Sequence, residues 1–136
     1  MDVLGLSGRI FSLWSLGAGI GHFAQREIVT GYGASKVVPA AGLWVPVPGG
    51  VVILGGLMVS VGVWPDLGAL LLVAFLVPTA VLMHGFWHEA DPAREANEQT
   101  QFLTIRSLAG AALAVFAFFA AEDDLGLVDL GLLFLL

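Results

Sequence analysis

The chain has 136 residues, of which 58% are hydrophobic and 12% are charged. A typical soluble domain has about 45–50% apolar and about 25% charged residues, so this chain carries too little charge to cover a water-soluble fold. Its mean hydropathy of +0.93 agrees with that. We therefore expect an integral membrane protein built as a single domain, residues 1–136.

The charged and sulfur-bearing residues exclude several other classes. Nucleic-acid binding needs a basic footprint, whereas 5 Lys and Arg stand here against 11 Asp and Glu, a formal net charge of −6. The chain has no cysteine, which excludes disulfides, Cys-ligated zinc, iron–sulfur clusters and thiol chemistry. The high hydrophobicity excludes a disordered chain. No nucleic acid is therefore expected as a partner.

Four apolar stretches have about the length of a membrane-spanning helix, roughly 20 residues. They cover residues 3–23, 48–64, 67–87 and 102–121. Only helices and closed barrels satisfy all backbone groups in lipid, and these stretches lack the period-two alternation of barrel strands. The sequence therefore predicts an all-α, four-transmembrane-helix bundle. Polar loops are expected after the first and third spans, at residues 25–47 and 88–101.

Smaller features fit this bundle. Trp64-Pro65-Asp66 is expected to form a tight turn between the second and third spans. Pro78 is expected to kink the third span, because it leaves the Ala74 carbonyl without its helical donor. The apolar tail 125–136 is too short to span and is expected to lie at the interface or against a partner. Two small-residue pairs are expected at helix contacts: Gly17 with Gly21, and Gly110 with Ala114.

The distribution of basic residues favours one orientation. The loops after the first and third spans share one side and hold Arg26, Lys36 and Arg94, whereas the opposite loop and the tail hold no Lys or Arg. The positive-inside rule then places both termini outside. We expect a multi-pass protein of the plasma (inner) membrane.

All three histidines fall on one side of the predicted bundle, where the first and third spans end and the second and fourth begin. Intramembrane ionisable residues mark functional sites by default. A quinone or another amphipathic redox ligand would suit this side, because its carbonyl oxygens need His or Gln donors and its ring needs an aromatic or apolar wall. The candidate ligand-binding residues are His22, His84, Trp87, Gln101 and Arg106.

A metal site is the alternative use of the same histidines, and metal or haem ranks behind quinone as a cofactor. His84 and His88 are four residues apart, which places them on one face of a helix, and His22 would supply a third nitrogen. The simpler interpretation is that His84 hydrogen-bonds to a neighbouring helix while His88 faces water.

Two arginines lie just inside the predicted spans. Arg9 is expected to snorkel to the lipid headgroups. Arg106 lies on the histidine side, where it either snorkels as well or pairs with Glu89, Glu98 or a lipid phosphate.

The region of the third and fourth spans carries a distinctive pattern, made of His84-Gly85-Phe86-Trp87, Asp91-Pro92, residues 97–101, Phe102-Leu103 and Arg106-Ser107-Leu108-Ala109-Gly110-Ala111. Two earlier segments belong with it, Gly21-His22-Phe23 and Ile53-Leu54-Gly55-Gly56-Leu57. Together these segments resemble the DoxX family of small four-helix membrane proteins. The similarity covers nearly the whole chain up to about residue 121.

This resemblance implies a link to redox processes. Members of the family include a small subunit of a thiosulfate:quinone oxidoreductase and partners in oxidative-stress complexes. His84, Phe86, Trp87 and Gln101 match the family motif by position. Two positions depart from it: Arg106-Ser107 replaces a Lys-Asn, and Val52 stands where a Glu is frequent. The missing intramembrane carboxylate weakens the case for proton-coupled redox chemistry.

Three functions follow as alternatives. The first is a multi-pass membrane subunit of the DoxX type, redox-linked and quinone-associated, and at most a subunit of a membrane oxidoreductase. The second is a structural accessory subunit that stabilises a larger membrane assembly, which Val52 and the apolar tail favour. The third is a small transporter in which Arg106 faces an anion path. The bilayer and other membrane subunits are the expected partners.

Overall fold

The computed structural model describes residues 3–36, 42 and 45–121, and every regular element among them is helical. The described residues form five α-helices: α1 Val3–Ala24, α2 Arg26–Ser35, α3 Pro46–Val61, α4 Pro65–Met83 and α5 Pro92–Ala120. A 3-10 turn, Phe86–His88, lies between α4 and α5. The all-α prediction is confirmed for these residues. The tail 125–136, with its predicted interfacial position, lies outside them.

Three segments are long and apolar enough to cross a membrane: Val3–Ala24, Pro65–His88 and Pro92–Ala120. They coincide with the first, third and fourth predicted spans. α3 is also apolar, but its 16 residues rise only about 24 Å at about 1.5 Å per residue. The hydrocarbon core of a bilayer is about 30 Å thick, so α3 is the shorter member of the set.

The helices α1, α3, α4 and α5 pack in this order, each antiparallel to the one before it. Gly49, near the start of α3, lies beside His22 of α1, and Gly62, directly after α3, lies beside the Arg9 guanidinium. α4 returns along α3, and α5 returns along α4 until Phe119 lies beside Gly8 of α1. The end of the bundle that carries the three histidines is called the histidine end below.

Two clusters of buried side chains form the core between these helices. The larger cluster lies in the middle of the bundle, and the smaller lies toward the end opposite the histidines. The larger consists of Val52, Leu72, Leu76, Ala109 and Ala112, and the smaller of Val59, Ala69 and Phe119.

α3 and α4 cross with almost no side chain between them. A Cβ atom on Gly55 would lie 2.7 Å from the carbonyl oxygen of Gly68, and one on Gly68 would lie 2.8 Å from the carbonyl oxygen of Gly55. Gly19 of α1 is equally close to α3, because its Cβ atom would lie 2.5 Å from the Ile53 side chain. In lipid, where helices gain nothing from burying apolar surface, such close backbone contact provides the packing energy.

The small-residue pairs predicted from spacing are not the ones that the helices use. A Cβ atom on Gly17, Gly21 or Gly110 would meet no neighbouring atom of the described residues within 4 Å. α1 instead turns another face inward, on which Gly5, Gly8, Ser12, Ser15 and Gly19 are buried. The prediction of those pairs is wrong because spacing identifies a small-residue stripe but not the rotation of the helix about its axis.

The first predicted loop contains a helix. Residues 26–35, expected to be loop, form α2, which follows α1 after a break at Gln25. The segment has no proline before Pro39, so nothing prevents a helix, and the glycines at 31 and 33 lower helix propensity without forbidding it. α2 also gains tertiary contacts through Tyr32, described below.

The second predicted loop is helical from Pro92 onward. Asp91 caps the helix, because its carboxylate accepts a hydrogen bond from the Arg94 N–H at 3.1 Å, and Pro92 takes the first helical position. These are strong start signals. α5 has 29 residues and rises about 44 Å, so its charged first turns extend beyond its apolar part. The charge run indicated exposure to water correctly, and exposure does not require a loop.

The tight turn between the second and third spans is present, shifted by two residues. α3 ends at Gly62, whose φ of 75° gives the left-handed cap that favours glycine. The connection runs through Val63 and Trp64, and Pro65 starts α4 as its first residue. α4 continues through Pro78 to Met83, and the kink at Pro78 stays a prediction.

We expect Gly68→Ala to destabilise the protein by about 1–3 kcal/mol, as overpacked interiors do. The added methyl would lie 2.7 Å from the Met58 Cβ atom and push α3 away from α4. The matched control is Gly50→Ala in α3, where a Cβ atom meets nothing within 4 Å, and which should gain about 0.5–1 kcal/mol from reduced backbone entropy. The measurement is the free energy of unfolding of the detergent-solubilised protein, and equal values for the two variants would contradict the close α3–α4 contact.

Candidate ligand-binding site

A cavity of about 660 Å³ lies between the helices at the histidine end. α1, α3, α4 and α5 provide its walls, and α2 covers it. Most of the lining is apolar. Leu76 of the larger core cluster belongs to it, so the cavity ends at that cluster. The principal apolar side chains are Val51, Leu71, Phe75, Leu76, Ile105 and Leu108.

Where the cavity reaches the surface of the protein, its lining stays apolar. Four lining residues have between 46% and 69% of their surface exposed: Trp14, Ile28, Val47 and Leu82. Trp14 on α1 and Leu82 on α4 lie on helices long and apolar enough to cross a membrane, and exposed apolar side chains on such helices are compatible with lipid contact. The cavity is therefore suited to a ligand that arrives from the bilayer.

Few polar side chains line the cavity, and some of them are already satisfied within their own helix. The Thr79 hydroxyl donates to the Phe75 carbonyl at 2.7 Å, and the Thr104 hydroxyl donates to the Thr100 carbonyl at 2.8 Å. The other polar side chains of the lining are those of His22, Tyr32, His84 and Gln101.

His22 lies on α1 and uses one ring nitrogen within the protein. Its Nδ1 atom is 3.0 Å from the Ala18 carbonyl oxygen, one helical turn earlier. The ring packs edge-on against Phe75, with 5.5 Å between ring centroids. The Nε2 atom has no hydrogen-bond partner among the described residues, and is the ring nitrogen left for a ligand.

His84 directly follows α4 and is held by a carboxylate from α5. Its Nδ1 atom is 2.8 Å from Oε2 of Glu98, whose side chain is only 8% exposed. The Tyr32 hydroxyl of α2 donates to the other carboxylate oxygen of Glu98, and its oxygen is also 3.2 Å from the Met83 carbonyl. Glu98 thus joins α2, α4 and α5 at the covered end of the cavity.

Lys36, directly after α2, completes this polar cluster. Its ammonium donates to Glu89 at 2.6 Å and lies 3.1 Å from Glu98. It also lies 5.5 Å from the centroid of the Tyr32 ring, within cation–π range. A buried carboxylate is costly without compensation. Glu98 obtains it from three donors: Tyr32 on α2, Lys36 directly after α2 and His84 directly after α4.

The cluster raises the pKa values of Tyr32 and Lys36, which both lie outside the spans. Burial raises the pKa of Tyr32 well above its ordinary value of 10.0, and the hydrogen bond to Glu98 and the charges of Glu98 and Glu89 raise it further. Burial alone would lower the pKa of Lys36, but its hydrogen bonds to Glu89 and Glu98 and their negative charges together raise it above 10.5. Both shifts favour the protonated form in the folded state.

Of the predicted site residues, the cavity brings together His22, His84 and Gln101. Trp87 does not line it: the side chain packs edge-on against Phe86 and Phe102, with ring centroids 5.3 and 5.6 Å apart, and is half exposed. Arg106 is exposed, does not line the cavity, and forms no ion pair with Glu89, Glu98 or any other described residue.

The three histidines do not converge as a metal site requires. Among the described residues, no group of three or more His, Asp or Glu side chains could hold a metal ion. The spacing of His84 and His88 misleads because α4 ends at Met83 and His88 lies in the 3-10 turn, so the helical i,i+4 relation does not apply. His88 is exposed and contacts Trp87.

Tyr32 was not predicted from the sequence as a site residue, and Lys36 and Glu98 were predicted only in other roles. All three lie on segments that were predicted as loops, where no side-chain direction follows from the sequence. One signal was available: the chain has a single tyrosine and a single lysine, and they stand four residues apart, as neighbours on a helix do.

The single tyrosine makes the cluster directly measurable. We expect tyrosinate absorbance to be absent from the folded protein at pH 10, and to appear near the ordinary value of about 10 after denaturation. Since the folded-state pKa values of Tyr32 and Lys36 are raised, their contribution to stability is complete below about pH 10 and is lost as the pH rises through the folded-state values. Glu98→Gln should lower the folded-state pKa of Tyr32 part of the way, because burial persists. Identical titrations of folded and denatured protein would contradict the cluster.

Comparison with protein families, with curated proteins and with solved structures finds no match to this chain.

Proposed function

We propose that this chain is a multi-pass membrane protein of the DoxX type that binds a quinone-like ligand and serves as a redox-linked or accessory component of a larger membrane complex. The observation that carries the proposal is the apolar cavity with His22 and His84 in its lining. The family resemblance supplies the redox link, and the cavity supplies the site.

The cavity has the size and surface that such a ligand needs. Small-molecule sites enclose about 300–1,000 Å³ and combine apolar walls with a few polar groups, and the volume here is about 660 Å³. A substituted ring with an apolar tail could place the tail between Trp14, Val47 and Leu82, toward the lipid, and the ring oxygens at the histidines. Gln101, which also lines the cavity, offers a further amide that both donates and accepts.

We further propose that α3 crosses the membrane as the fourth span. It runs along α1 from His22 to Arg9, and these two residues lie near opposite ends of a helix long enough to span. The segment 37–65 contains no charged residue, and a shortfall of a few ångströms is accommodated by local thinning of the bilayer. The proposed orientation places both termini outside and the histidine end on the cytoplasmic side of the plasma membrane.

Ligand binding is tested by titrating the purified protein in lipid nanodiscs with decylubiquinone while following tryptophan fluorescence, since Trp14 lines the cavity. We expect saturable binding that His84→Ala weakens about tenfold, the effect of losing a hydrogen bond together with its geometry. His88→Ala is the matched control, because His88 belongs to the same segment but is exposed and outside the cavity. Equal loss in both variants would contradict the site, and absence of binding by the unaltered protein would favour the structural accessory role instead.

The span of α3 is tested by single-cysteine labelling, for which the cysteine-free chain needs no background substitutions. In spheroplasts, an impermeant maleimide should label Val63→Cys directly, and Gly42→Cys only after permeabilisation. Both positions are exposed. Glu95→Cys, at the start of α5, should behave as Gly42→Cys does. Labelling of Gly42→Cys and Val63→Cys from the same side would contradict a membrane-crossing α3, and the opposite pattern throughout would reverse the orientation.

A further inference from the structure

We propose that the cavity prefers the reduced, hydroxyl-bearing form of its ring ligand, a quinol, over the oxidised form, a quinone. This inference rests on the proposed function and deepens it. The preference depends on which polar atoms at the cavity can still donate a hydrogen bond and which can only accept one.

His84 presents an acceptor to the cavity. The Nδ1 atom faces the Glu98 carboxylate at 2.8 Å, and an ionised carboxylate only accepts hydrogen bonds. The Nδ1 atom therefore carries the ring proton, and in the neutral imidazole the Nε2 atom is left as an acceptor. Glu98 remains ionised because Tyr32 and Lys36 both donate to it.

His22 presents a second acceptor for the same reason. Its Nδ1 atom is 3.0 Å from the Ala18 carbonyl oxygen, and a carbonyl oxygen only accepts. The ring proton is again fixed on Nδ1, so the neutral ring offers Nε2 as an acceptor. Two histidines from two helices thus present the same kind of atom to one cavity.

The remaining polar groups do not reverse this balance. The Tyr32 hydroxyl proton is used by Glu98, and the Lys36 ammonium lies between Glu89 and Glu98. The hydroxyls of Thr79 and Thr104 donate to their own helices. Gln101 both donates and accepts, and so favours neither form of the ligand.

A quinol and a quinone place opposite demands on such a site. The two hydroxyls of a quinol donate hydrogen bonds, which two acceptor nitrogens can receive. The two carbonyl oxygens of a quinone need donors, and they would face nitrogen lone pairs instead. A buried polar group without a partner is costly. Each carbonyl oxygen that faces a histidine lone pair therefore weakens the binding of the quinone.

The test compares three probes with the full-length protein in nanodiscs under anaerobic conditions: decylubiquinol, decylubiquinone and the dimethyl ether of decylubiquinol, which has no hydroxyl donor. At neutral pH we expect the quinol to bind about five- to tenfold more tightly than either of the others, the effect of about one net hydrogen bond. His84→Gln, which supplies both a donor and an acceptor, should bring the quinol and quinone affinities close together. His88→Gln is the matched control and should leave their ratio unchanged.

Equal or tighter binding of the quinone by the unaltered protein would overturn the inference and leave the proposed ligand class intact. Failure of all three probes to bind would overturn the proposed function itself.

Discussion

The polar end of this protein depends on one carboxylate. Glu98 is nearly enclosed, and a charge in such surroundings is stable only if donors surround it. Tyr32, Lys36 and His84 provide those donors from α2, from the residue after α2 and from the end of α4. Because these elements are distant in the sequence, one side chain determines how the cover of the cavity, the α4 terminus and the first turns of α5 fit together.

The cavity itself results from how the helices approach one another. α3 lies in backbone contact with α4 at Gly55 and Gly68, so the middle of the bundle is tight. α1 and α5 meet at Gly8 and Phe119, at the end opposite the histidines. At the histidine end the same two helices line the cavity together with α2, α3 and α4. The bundle is therefore closely packed away from the histidines and encloses a cavity at the histidine end.

The position of the carboxylate also bears on the family resemblance. Val52, where a Glu is frequent in the DoxX pattern, is fully buried in the core with Leu72 and Ala109. A carboxylate there would need its own donors, and the surrounding side chains are apolar. Glu98 instead lies on the charged first turns of α5, next to Lys36. The carboxylate of Glu98 therefore lies toward the histidine end of the bundle rather than in its middle.

The sequence by itself determined the composition-driven features: an all-α fold, the apolar segments that became the membrane-competent helices α1, α4 and α5, and the position of the histidines at one end. These follow from hydropathy and from the alternation of antiparallel helices, which need no tertiary information. The rotation of each helix, which put Gly19 rather than Gly17 at the α1–α3 contact, depended on packing alone. So did the helical state of residues 26–35 and 92–101, where polar composition suggested loops although the backbone was free to form helices. The polar cluster could not be predicted for the same reason, because Tyr32, Lys36 and Glu98 come into contact only after those segments fold and pack against the bundle.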